Sequence, residues 1–255
     1  MGVVPRGVMT KVRESIKILI PHLSKARKKR IAEVVAGRTS SLAVLLENVR
    51  DKGNRNAVMR SMDAVGLYAL YRLSYGEAAA DSVQRKGAKI RTDVGARKWI
   101  LATNWSHVDT CLQHLRANGY KIASTMPNAS LQLADVDFTE KLVVAFGNEH
   151  VGVSDFILGG SDFHFSIPMT GFVQSLNISV CVAVTLYHAY FQRLAKLVRG
   201  EGFLVSMHLL PPSLQGKNGD LSEEEYLKLT LQYYINSIGT EKAYSILSKY
   251  RADAG

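Results

Sequence analysis

The chain has 255 residues, of which 47% are hydrophobic and 21% charged, enough apolar material for one sizeable core and too little charge excess for a disordered chain. No run of eighteen apolar residues is present, so no membrane-spanning helix is expected, and two cysteines are too few for a disulfide framework. The formal net charge of +10 favours a polyanionic partner.

Taken in chain order, residues 1–23 are basic, with short interrupted apolar runs that make neither a signal-peptide core nor a cleavage site. A cytoplasmic location is therefore expected, with organellar targeting as the alternative, which the early Glu14 disfavours. Ser24 can cap a helix running to Ala36, which Gly37 stops, and this helix carries the basic run 25–30. Together these make 1–38 a basic helical extension. Residues 42–48 form a continuous apolar run and are expected to be a buried strand. Residues 54–66 suit a helix capped by Asn54 and closed by Gly66, and 67–73 are rich in strand-forming aromatics. A basic, glycine-containing region follows (Arg85, Lys86, Lys89, Arg91, Arg97, Lys98), then a strand at 98–103.

Ser106 opens a helix to Asn118, and strands are expected at 120–125, 141–146 and 163–168. The segment 145–154 ends a strand, passes Gly147 and Glu149, and re-enters a short helix over 152–159. From Ser175 to Leu197 the apolar pattern runs nearly all round a helix, so that helix must be buried on more than one face. Residues 210–220 are a Pro/Gly-rich linker, after which Ser222 and Glu225 make a capping box. Strands alternating with helices imply an α/β fold with a largely parallel sheet. The chain is thus divided as 1–38, a central domain 39–200, and a linker with helices at 201–255. The seven histidines show no ligand spacing, so no metal is expected, and both cysteines suit a core.

Three segments place polar residues where a scaffold would not. Asn54 and Arg60 lie around a helix start; taken alone, a cap and a surface arginine paired with Asp63 account for them better than an active site does. Glu149 follows a strand end, where parallel sheets bind ligands, although a plain turn suits it too. Ser175 suits a helix cap, but a cap leaves Asn177 unexplained. In order and spacing, "NRNAVMRSMDAVG" (54–66), "VVAFGNEHVGVS" (143–154) and "IPMTGFVQSLNISVCVAVTLYHA" (167–189) resemble the three motifs of the SpoU/TrmH branch of the SPOUT RNA methyltransferases. "RIAEVVAGRTSSLAVLLENV" is similar to the start of that branch's tRNA guanosine-2′-O-methyltransferases.

The resemblance implies an α/β sheet flanked by helices, with a C-terminal deep trefoil knot and terminal helices added. It implies S-adenosylmethionine as cofactor, lined by Thr125, Gly147, Ile167, Met169 and Leu176. It implies Arg60, Asn54, Glu149, Ser175 and Asn177 as active-site residues, tRNA as partner, and a homodimer through the knot region. The implied reaction is methylation of a tRNA ribose 2′-hydroxyl, with the D-loop guanosine favoured; ribosomal RNA, another tRNA position, or a non-catalytic RNA-binding role remain alternatives. In the family the arginine at position 60 is often proposed as the base, whereas binding of a phosphate and stabilisation of a developing alkoxide suit a guanidinium better. Lys52 and Gly53 stand where the family often has Pro-His.

Overall fold

The computed structural model describes residues 6–76, 95–198 and 219–253. The basic positions Arg85, Lys86, Lys89 and Arg91 and most of the linker lie outside the described residues. The chain divides into two compact units, Ser40–Leu209 and a second made of Met1–Thr39 with Leu210–Gly255.

Among the described residues the central unit carries β1 (Leu42–Glu47), β2 (Ala69–Leu73), β3 (Leu101–Trp105), β4 (Lys121–Thr125), β5 (Leu131–Gln132), β6 (Leu142–Phe146) and β7 (Phe163–Ser166). They form one sheet in the order β3-β2-β1-β6-β4-β7-β5, and all the pairings are parallel. β1 and β6 are buried at every position, as central strands covered on both faces must be. Their apolar runs were therefore readable as strands. The two-residue β5 has no periodicity to read.

Because side chains alternate across a strand, the sheet has two cores. Leu42, Val44 and Leu46 face one, with Val58 and Met62 of the helix α3 (Lys52–Ala64) and Val182 and Leu186 of the helix α6 (Ile178–Val198). Ala43 and Leu45 face the other, with Cys111, Leu112 and Leu115 of α4 (Val108–Ala117) and Ile157 of α5 (Asp155–Gly159). Both thiols are thus core groups; burial pushes Cys111 up to about 12 and raises Cys181 as well.

Two helix starts differ from expectation. Asp51, not Asn54, caps α3, accepting from the Asn54 backbone N–H at 2.6 Å. Asn177, not Ser175, caps α6: its Oδ1 accepts from Ser179 N at 2.9 Å and Ser179 Oγ at 2.6 Å. The expected strand at 98–103 begins later, at Leu101, after a 3-10 turn over Ala96–Lys98.

The second unit is helical: α1 (Arg6–Leu19), α2 (Lys25–Ala36), α7 (Glu223–Ile238) and α8 (Thr240–Asp253). Its core joins Leu19, Ile31 and Val35 from the start of the chain to Leu229, Tyr233 and Leu247 from its end. Ser24 caps α2, and the Ser222–Glu225 capping box opens α7, both as expected. Arg38 is fully buried, 5.6 Å from the centre of the Tyr233 ring, and Asp220 accepts from Thr39 Oγ1 at 2.6 Å.

Replacing Leu45, buried in the central strand, removes packing on the α4 side of the sheet. Leu45→Ala is expected to destabilise the central unit by about 2–5 kcal/mol. Urea unfolding followed by the fluorescence of Trp99 and Trp105, both within that unit, measures it.

Candidate functional site

Parallel pairing sends every strand's carboxyl end to the same edge of the sheet. Chain order reverses about β1: β2 and β3 extend to one side, β6, β4, β7 and β5 to the other. Open α/β sheets bind ligands at such a switch point, in the crevice outside the strand ends. The loop after β1 leads into α3, and the loop after β6 carries residues 147–154, so these two loops flank that crevice.

A buried carboxylate braces the edge. Glu47, the last residue of β1, is 2% exposed. Its oxygens accept from Ser154 N at 2.8 Å, from Ser154 Oγ at 2.5 Å and from the Tyr75 hydroxyl. Burial, then the hydrogen bond to Glu47, raises the Tyr75 phenol, which keeps it the donor. Asn48 follows with φ of 51°, a left-handed conformation that asparagine tolerates. Its N–H donates to Leu73 O at 2.8 Å, its Oδ1 accepts from Tyr75 N at 3.0 Å, and its carbonyl accepts from Asn148 Nδ2 at 3.0 Å. The ends of β1, β2 and β6 are thereby tied together.

The β6 loop is a tight hairpin, with Asn148 N donating to Gly152 O at 3.0 Å and Gly152 N to Asn148 O at 2.8 Å. Gly152 closes it at φ of 73°. Gly147 has an ordinary φ; a Cβ there would lie 1.9 Å from the Gly152 carbonyl carbon and 2.1 Å from Val153 N. The close approach of this chain's own backbone, rather than a sharp turn at Gly147, is what requires the glycine.

The hairpin holds Glu149 out towards α3. Asn54 Nδ2 donates to Glu149 Oε1 at 2.7 Å, and Asn177 Nδ2 donates to Asn54 Oδ1 at 3.2 Å. With the cap bonds from Ser179 to Asn177, all donors point one way, from α6 through α3 to the Glu149 carboxylate. The direction fixes how both amides are turned and leaves each with one N–H to donate outward. Three of the five expected active-site residues are thus joined. Arg60 is exposed on α3, about 9 Å along the helix axis from Asn54. It makes no hydrogen bond or ion pair among the described residues, so the pairing with Asp63 is not formed. Ser175 is exposed, two residues before the Asn177 cap, and takes no part in the network.

The expected cofactor-lining residues follow three strand ends on this edge. Thr125 ends β4, its Oγ1 donating to Ala145 O at 3.3 Å. Gly147 follows β6, while Ile167 and Met169 follow β7; Ile167 packs on the core. Leu176 precedes the α6 cap, its carbonyl accepting from the Cys181 thiol at 3.8 Å. Among the described residues, 168–175 form no backbone–backbone hydrogen bonds, and all but Met169 are exposed, so the loop's main-chain donors and acceptors are open to solvent. Among the described residues no cluster of metal-ligating side chains occurs, and no helix is long and apolar enough to cross a membrane.

Residues that sequence reasoning missed are Glu47, Asn48, Tyr75 and Ser154. Asparagine at a strand end is a weak signal of a left-handed turn, whereas nothing local marks Glu47 as a brace.

Residues 41–187 match the SpoU rRNA Methylase family. A relative from Aquifex aeolicus, a tRNA (guanosine(18)-2′-O)-methyltransferase, is 35% identical over 219 residues, which are 85% of this chain and 92% of the relative. The crystal structure of the A. aeolicus TrmH/SpoU tRNA modifying enzyme superposes with a TM-score of 0.67 at 30% identity, covering 84% of this chain and 98% of that one. The SpoU methyltransferase AviRb from Streptomyces viridochromogenes, in complex with AdoMet, gives a TM-score of 0.52 at 27% identity, covering 62% of this chain and 60% of its own.

Gly147→Ala is expected to open the 147–153 hairpin and cost about 3 kcal/mol of stability. Gly171→Ala, with nothing within 4 Å of the added Cβ, is expected to leave stability within about 0.5 kcal/mol of the parent. Thermal unfolding of the two variants side by side checks both.

Proposed function

The chain belongs to the SpoU rRNA Methylase family, and we propose that it methylates a ribose 2′-hydroxyl of tRNA, at the D-loop guanosine, using S-adenosylmethionine. The observation that carries this reading is the directed Asn177–Asn54–Glu149 chain at the switch point of the sheet, beside the unpaired main-chain groups of 168–175. The relative's guanosine-18 specificity supports the choice of nucleotide.

S-adenosylmethionine supplies, when bound, a methyl group already activated by its sulfonium. Thr125, Gly147, Ile167, Met169 and Leu176 are the residues assigned to hold it. The protein's remaining task is to place the 2′-oxygen and to stabilise negative charge on it as its proton leaves. Holding the reacting groups in line is worth roughly 7–11 kcal/mol of barrier. The outward N–H groups of Asn54 and Asn177 orient the ribose, and Glu149 locks the Asn54 amide. Arg60 is a donor-only group with no place for a proton, so its role is to bind the neighbouring phosphate and stabilise the developing alkoxide. The 2′-proton passes to a phosphate oxygen or water. Ser175 is assigned a hydrogen bond near the reacting centre.

Residues 39–200 carry the chemistry, flanked by the segments 1–38 and 201–255. β6 lies between β1 and β4, two strands that precede it in the chain, an insertion that suits the trefoil knot the family resemblance implies for the last part of the domain. α6 exposes Val180, Val184, Tyr187 and Phe191 at spacings of four, three and four, one apolar stripe along the helix. A second copy of this chain is its proposed occupant, giving a homodimer through this region. Val184→Glu is then expected to yield monomers in sedimentation.

The test of the activity uses labelled S-adenosylmethionine and tRNA, with the modified nucleotide mapped. Label at a D-loop guanosine 2′-oxygen is expected; label in ribosomal RNA alone would overturn the substrate, and none in any RNA the activity. In single turnover, Arg60→Ala is expected to slow methyl transfer about 10²–10³-fold, with cofactor affinity retained.

A further inference from the structure

A second cluster of cations sits beside the Asn54–Glu149 network and takes no part in it. Arg72 lies on β2, in register with Leu46 on one side and Asn104 on the other. Alternation puts Arg72 on the same sheet face as Leu46 and Leu70, the face that α3 covers. α3 also packs against the 3-10 turn that carries Arg97. At the start of α3, Arg55 donates to Val49 O at 2.7 Å and Arg50 O at 2.6 Å. Arg55 and Arg97 are thus carried by the helix that covers the Arg72 face and by the turn packed on that helix, and both place like charge on Arg72.

Arg55 has carbonyl partners and the nearby carboxylates Asp51 and Glu149. Among the described residues, Arg72 and Arg97 make no hydrogen bond to a carbonyl and no ion pair with a carboxylate. Arg72 Nε is buried and has no hydrogen-bond partner among the described residues. Burial is the main influence lowering the Arg72 guanidinium, followed by the like charges of Arg55 and Arg97. Arg97 is exposed and makes no hydrogen bond or ion pair among the described residues. An unsatisfied buried donor next to two like charges weakens a fold, and arginine's planar fork is the group best shaped for phosphate oxygens. Stability alone gives no reason for such a cluster; an absent anion does.

We propose that Arg72 and Arg97, backed by Arg55 and flanked by Asn104, form a binding site for a backbone phosphate of the RNA substrate. This rests on the RNA-methylating reading above and adds to it a phosphate next to the nucleotide held at Asn54. Arg55, in the first turn of α3 next to Asn54, links the two: it feels the charge of Glu149, and Arg72 feels the charge of Arg55.

The test measures tRNA affinity between about 50 and 200 mM salt for the wild type, Arg72→Met, Arg72→Lys and Arg97→Ala, each checked for folding by circular dichroism. Arg72→Met and Arg97→Ala are expected to bind tRNA about fivefold to tenfold more weakly and to lower the salt slope by about one. Arg72→Lys is expected to restore the slope. Arg72→Met is also expected to raise the melting temperature without RNA, because it removes a crowded charge. Pyrophosphate is expected to raise the wild-type melting temperature more than that of Arg72→Met. Unchanged affinity and slope in folded Arg72→Met and Arg97→Ala would overturn the site. Methyl transfer is assayed in parallel: a wild type that methylates no RNA sinks the enzymatic reading, while the salt slope still decides the phosphate site.

Discussion

Parallel pairing throughout the sheet is the constraint on which everything else rests. It forces every strand to end on one edge, and it forces helices to cover both faces on the way back. Placing β6 beside β1 then brings together two loops separated by a hundred residues of chain. Neither loop alone has more than a helix start or a hairpin to offer. Side by side, they supply an amide and a carboxylate at 2.7 Å.

The division of labour among polar residues at helix starts follows from this. Asp51 satisfies the first turn of α3, which releases the Asn54 side chain from capping. Gly53 helps, because a Cβ there would meet the Asp51 carboxylate oxygen at 3.0 Å. Asn177 does two things at once: its oxygen caps α6 and its nitrogen reaches Asn54. A helix terminus is thereby wired to the site, and the amide geometry is set before any ligand arrives.

Local signals in the sequence were strong where one residue's role depends on its neighbours. The apolar runs of β1 and β6, the Ser24 cap and the Ser222–Glu225 box are of that kind. Assigning the α3 cap to Asn54 failed because Asp51 is an equally good cap one turn earlier. Assigning the α6 cap to Ser175 failed for the same reason, Asn177 standing two residues on. Glu47 was invisible because its partners Ser154 and Tyr75 are remote in sequence, so only the folded sheet shows why a carboxylate ends a buried strand. Strand order is likewise a non-local property. The polar residues Asn54, Glu149 and Asn177 drew notice as misfits and by family resemblance, while Arg72, inside a strand-like run, did neither.

The position of β6 has a consequence for how the chain acquires its shape. Leu42 must find Leu142, and Lys121 must find the same strand from the other side. Until that happens, β1 and β4 each present an unpaired apolar edge, the form of strand most prone to join a neighbouring molecule. Closing so long a loop before any pairing rewards it makes this step slow. Insertion of β6 therefore both covers the two edges on which aggregation would start and creates the crevice at the switch point.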